Sequence, residues 1–291
     1  VKKDIKRVAE EYTAGGDKPF IKDANNGVCF ALSIKYLIAE RNYGPGGGRK
    51  YLSWLADMTD HHKNKDKVDV GNDNINKTKN YLLRDYYNKS FESEFNDIIS
   101  LQKYSDKNIE IYNYIESIKN VEEKNKGKDL YVEKIIELVK KDLTKRNLLI
   151  DDEFFNEVKD KFNGEKSSND SIYLELKIKV WKEKEKINAK VSDFLQENGF
   201  HIKSKNTVLD SRTDGYERFM DGLKNPTQDV FIPFISRDHA MAISVMENNG
   251  VKHWSFFDPN FGAVTFNSFD KFSDFMDKSY KNNYKIKKLL K

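Results

Sequence analysis

The chain has 291 residues, 38% of them hydrophobic and 34% charged, with 13% aromatics and a net charge of +4. That length allows one large domain or two small ones with a substantial core, and the aromatic content argues against wholesale disorder. So mild a charge does not point to nucleic acid, one cysteine excludes an internal disulfide, and no apolar run approaches the length that spans a bilayer.

The chain opens at Val1 rather than Met, with no signal peptide, so a domain excised from something longer is expected. Residues 1–60 form a first block. After a short polar lead comes "NNGVCFALSIKYLIAE", Asn25 to Glu40, which holds the one cysteine, Cys29. Apolar residues at Leu32, Tyr36, Leu37 and Ile38 recur at helical spacing and predict a helix packed on its apolar side. Asn-Gly before it is a turn and helix entry, and the "GPGGG" run after it ends the helix in a flexible loop. The triple glycine comes after no strand and precedes no Lys-Ser/Thr, so it is not read as a phosphate loop. "YLSWLADM" is a second amphipathic stretch.

Residues 61–200 change composition. "NYLLRDYYNKSFESEFNDIISLQKY", "LYVEKIIELVKKDLTKR" and "SIYLELKIKVWKEKEKINAKVSDFLQENGF" carry apolar residues at helical spacing among many charges, and predict a helical subdomain of four or five helices. The run from Ile172 to Val180 alternates enough to allow a strand instead. Residues 201–291 read as β with a final helix. "DVFIPFIS" and "HAMAISVME" alternate, "NNG" makes a hairpin turn into "VKHWSFFDPNFG", and "AVTFNSF" is a further strand. "FDKFSDFMDKSYKNNY" closes the chain as an amphipathic helix.

The histidines sort by context. His61 and His62 lie in a polar stretch without further ligands at metal-binding spacing, so no metal is expected there. His201 sits in a loop, and His253 is a structural strand residue. His239 differs, because it opens a strand just after "SRD", where a core meets a loop. Ala240 and Ala242 beside it leave room for a closely packed element. The hairpin brings Asp258 alongside, although Asp-Pro is also a common turn. A cysteine attacks best as a thiolate, which an imidazolium partner and a helix start both stabilise. The histidine in turn needs an acid on its far nitrogen. Cys29, His239 and Asp258 meet those demands in the order of a papain-like site. The backbone N–H of Cys29 supplies one oxyanion donor, and Asn25 or Asn26 a second, unless either only caps the helix. No cofactor is needed.

At these residues the chain resembles a known family. "NNGVCFALSIKYL", "DHAMAIS" and "FFDPNFG" are similar to the three motif blocks of the YopT/AvrPphB cysteine peptidases: Gly-x-Cys-x-x-Leu-Ser, His-Ala and Phe-Asp-Pro-Asn-x-Gly. The resemblance implies Cys29 as nucleophile, His239 as general base and acid, and Asp258 as orienting acid. It implies an α+β fold with a papain-like core, a nucleophile helix on an antiparallel sheet. The core is expected from residues 1–60 and 201–291, with 61–200 as a large helical insertion. It further implies a bacterial effector or toxin domain acting in the host-cell cytoplasm on a host protein such as a Rho-family small GTPase. Separately, the lysine-rich stretches "VKKDLTKR" and "KIKVWKEKEKINAK" suit an anionic membrane surface or an acidic protein face. Two other readings share the residues: a deamidase or transglutaminase using the same triad, and a non-catalytic interaction module.

Overall fold

A computed structural model describes residues 28–64, 91–146, 151–162, 168–202, 215–235 and 239–278. The chain divides into two units, Val1–Lys103 with Ser204–Lys291, and Tyr104–Lys203. The first boundary falls at 103/104, where the composition suggested 60/61. Residues Glu94, Asp97 and Gln102 explain the difference, since they serve the cysteine helix directly.

The first unit contains helix α1 (Cys29–Tyr43) and helix α2 (Gly47–Asn64). It takes the first part of the long helix α3 (Phe91–Lys124), then α7 (Gly215–Lys224). Strands β1 (Val230–Ile235), β2 (Ala240–Asn248), β3 (Val251–Asp258) and β4 (Gly262–Phe266) come next, and α8 (Phe269–Met276) ends it. The strands form an antiparallel meander in the order β1-β2-β3-β4. Between β2 and β3, Asn249 and Gly250 both take positive φ, 52° and 76°, as the primed two-residue turn requires. That turn sets the register Asn248↔Val251 through Ala242↔Phe257.

Each face of the sheet has its own cover. Met241, Ile243 and Val245 of β2 and Trp254 and Phe256 of β3 cluster with Met220 and Leu223 of α7 and Phe272 and Met276 of α8. Residues of the other parity meet α1, which packs against β2 and β3. Phe257 stacks on Tyr36, with ring centroids 4.7 Å apart. The alternation read from the sequence therefore marks two buried faces rather than one.

Helix α1 differs from its expectation of one apolar side. Every residue from Cys29 to Glu40 is buried, Lys35 and Glu40 included. A helix enclosed all round must pair the charges it buries. Lys35 Nζ lies 3.0 Å from Glu94 and 3.3 Å from Asp97, both on α3, and Glu94 also accepts from the Tyr51 hydroxyl at 2.8 Å. Glu40 accepts from the Gly46 and Gly48 N–H groups at 3.1 Å and from the Ser244 and Ser255 hydroxyls at 3.4 Å. Burial pushes its carboxyl up, against the pull of the glycine N–H donors.

The glycine run has a role that its composition did not reveal. Its last two residues open α2, with Gly47 as the first helical residue. A Cβ on Gly48 would run into the Tyr36 ring, and one on Gly47 into the Ala39 carbonyl. Here glycine lets two helices touch backbone to ring, so the segment is tight rather than loose.

The second unit is helical, built from the rest of α3 with α4 (Val132–Lys145), α5 (Asp152–Phe162) and α6 (Asn169–Glu197). The run from Ile172 to Val180 lies inside α6, so the strand alternative falls. Ile172, Tyr173, Leu176 and Val180 are its buried stripe, at spacings of one, three and four that only a helix aligns. Ile135, Ile136, Val139 and Leu143 of α4 and Phe154, Phe155 and Val158 of α5 complete that core. Ser168 caps α6 by accepting from the Ser171 N–H. Among the described residues, no helix is long and apolar enough to cross a membrane.

Candidate active site

Cys29 is the first residue of α1, after Val28 at the N-cap. The first N–H groups of a helix lie outside its own ladder, and the dipole there favours negative charge. The Ala31 N–H is met by the Gln102 side-chain oxygen at 3.3 Å, which ties the start of α1 to α3. Gln102 is itself buried. It was not among the residues singled out from the sequence, and no motif marks it.

His239 stands immediately before β2, and Asp258 is the last residue of β3. Just beyond the pair Ala242↔Phe257, the strand ends bring these side chains together. His239 Nε2 lies 3.0 Å from Asp258 Oδ1. The same oxygen accepts from the Asn260 N–H at 2.8 Å, and the Phe261 N–H bonds back to the Asp258 carbonyl at 3.0 Å. The Asp-Pro turn and the histidine partner are thus one carboxylate serving two donors. Asp258 is only 2% exposed.

The Cys29 thiol is hydrogen-bonded to the same imidazole. With Nε2 turned to Asp258, Nδ1 is the nitrogen left for the sulfur. Burial alone would lower the His239 pKa. The hydrogen bonds to Asp258 and Cys29, and the negative charge each carries when ionised, outweigh it and push the value up to about 9. An imidazole of that basicity is an imidazolium at neutral pH. The arrangement can therefore hold a thiolate–imidazolium pair, braced from behind by a carboxylate.

The Asn260 side-chain amide lies 3.5 Å from His239 Nε2. It belongs to the "FFDPNFG" block, which is the signal that marks it. Asn25 and Asn26, the candidates for a second oxyanion donor, lie outside the described residues. His201 is exposed, His253 lies on β3, and His61 and His62 fall in the last turn of α2. Among the described side chains, neither His201 nor His253 belongs to the cluster.

No curated protein and no solved structure matches the chain. Residues 151–291, the stretch that carries His239 and Asp258, match the model of the family described as Yersinia/Haemophilus virulence surface antigen, Peptidase_C58, the YopT-type cysteine peptidases.

Proposed function

We propose that this chain is a papain-like thiol peptidase of the virulence-effector kind, with Cys29 as nucleophile, His239 as base and acid, and Asp258 as the group that orients and charges the imidazole. One observation carries the reading. A single imidazole is bonded to a carboxylate on Nε2 and to the thiol of a helix N-terminal cysteine, although the three residues come from distant parts of the chain. The family match supports the peptidase class and covers the histidine and the aspartate.

In the proposed reaction the Cys29 thiolate attacks the carbonyl carbon of the scissile amide. The tetrahedral oxyanion faces the N–H groups at the start of α1. The His239 imidazolium gives its proton to the departing amine, leaving a thioester on Sγ. His239, now neutral, takes a proton from water, whose oxygen attacks the thioester and releases the acid and the thiolate. Asp258 stays ionised throughout and holds Nε2. The substrate is a host protein, such as a small GTPase, met in the host-cell cytoplasm. Exposed lysines of the helical unit serve an acidic partner or an anionic membrane surface.

Intact-mass analysis of candidate host proteins after incubation with the chain tests this. Backbone cleavage, lost in Cys29→Ala, is the expected result. A gain of one dalton or a cross-link would instead assign the triad to a deamidase or a transglutaminase. Equal cleavage by the Cys29→Ala variant would refute the thiol mechanism.

A further inference from the structure

A cleft of about 400 Å³ adjoins the triad, within the roughly 300–1,000 Å³ typical of ligand sites. It is bounded by Leu32, one helical turn past Cys29, by α2, and by the turn just after Asp258. Asn260 links the two places, because it lines the cleft and also lies 3.5 Å from His239. The walls are mostly apolar. Leu52 and Ala56 of α2 stand on one side, and Phe257 and Phe261 on the other. Phe261 is 69% exposed, an uncovered aromatic ring at the rim of a candidate active site.

Among the residues lining the cleft, Arg49 alone carries a charge. It stands on the same face of α2 as Leu52, Ser53 and Ala56, at spacings of three, four and seven. Among the described residues no ion pair or hydrogen bond engages it. The buried acid Glu40 of α1 is already met by two backbone N–H groups and two hydroxyls. An exposed guanidinium beside apolar walls matches a ligand that offers an apolar body and a carboxylate together.

We propose that the cleft receives a bulky apolar side chain of the substrate while Arg49 pairs with the carboxylate of a neighbouring acidic residue. Arg49 and Phe261 then set specificity beside the scissile bond. The inference rests on the peptidase reading and names the peptide chemistry that the site selects.

Digestion of a randomised peptide library by the full chain, read by mass spectrometry, tests it. Cleaved sequences should be enriched for an acidic residue next to a large apolar one. Matched peptides with glutamate in that place should be cleaved roughly 10–100-fold faster than those with lysine, the range expected of one charge-assisted contact. Arg49→Glu should reverse that order and Arg49→Gln should erase it. Phe261→Ala should relax the apolar preference, and all three should alkylate Cys29 at the wild-type rate. Capture of the uncleaved library on Cys29→Ser separates the two claims. If nothing is cleaved but capture shows the Arg49-dependent acidic preference, the cleft assignment stands and the peptidase reading fails. Cleavage or capture whose acidic preference is absent, or unmoved by Arg49→Glu, overturns the proposal. The same holds if an apolar or lipid group binds regardless of residue 49, or if neither cleavage nor capture occurs.

Discussion

Asp258 shows how one side chain can serve two ends. Its Oδ1 closes the Asp-Pro-Asn turn through the Asn260 N–H and meets the His239 imidazole as well. An asparagine there keeps an oxygen for the turn and for Nε2 but loses the charge. Asp258→Asn should therefore fold and keep some turnover, while Asp258→Ala loses the turn bond too and falls further. Because the carboxylate helps hold the His239 pKa at about 9, kcat/KM of the wild type should fall along a basic limb near pH 9 as the imidazolium loses its proton. In Asp258→Asn that limb should move down toward the ordinary histidine range, and a pH–rate profile of both proteins checks it. The same shift bears on stability. The folded value lies above the unfolded one of about 6.5, so its contribution is complete below that pH and is lost as pH rises through about 9. The urea midpoint difference between wild type and His239→Gln should shrink between pH 6 and pH 10. An unchanged difference would mean that the imidazole is not held this way.

At the scale of elements, α1 carries the site because it is locked on every side. Lys35 and Glu94 form the buried part of that lock. Removing Glu94 leaves Lys35 only the half-exposed Asp97 and takes the acceptor from the Tyr51 hydroxyl, so Glu94→Ala should cost about 3 kcal/mol, read from urea unfolding. Lys35→Met with Glu94→Leu should recover most of that loss, since the pair itself is worth less than its separation costs. Gly48→Ala should destabilise by about 1–3 kcal/mol, because the methyl must displace the Tyr36 ring. The helix and the hairpin were legible in local signals, namely the 3–4 spacing after Cys29 and Asn-Gly between alternating strands. The lock was not. Lys35 finds Glu94 at a separation of 59 residues, and Glu40 finds Ser244 and Ser255 at 204 and 215 residues, separations that no local pattern encodes. Gln102 carries no local mark at all.

For the molecule as a whole, each of the three residues of the proposed triad sits at a junction that local sequence signals mark: a helix start, a strand start and a strand-to-turn corner. The division of the chain was less so. Residues 91–103 share helical charge patterning with the rest of α3, yet Glu94, Asp97 and Gln102 serve α1, a tertiary fact that composition does not encode. In the helical unit many lysines are already spent on ion pairs, such as Lys177 with Glu122 and Lys179 with Glu157. Among the described residues, exposed Lys141, Lys145, Lys182 and Lys190 have no such partner. If they meet an acidic surface, reversing all four to glutamate should weaken processing of the native substrate while leaving Cys29 alkylation unchanged. A parallel fall in alkylation would instead make the unit part of the catalytic fold.

The central claim is that the Cys29 thiol and the His239 imidazole act as one ion pair. The rate of Cys29 alkylation by iodoacetamide between pH 5 and pH 10, in wild type and in His239→Gln, measures that pairing directly. A thiolate held by an imidazolium should react fast well below the ordinary thiol range near pH 8.5, and His239→Gln should slow it severalfold or more at pH 6 while converging with wild type above about pH 9. Two superimposable profiles, each rising as a free cysteine does, would contradict the account.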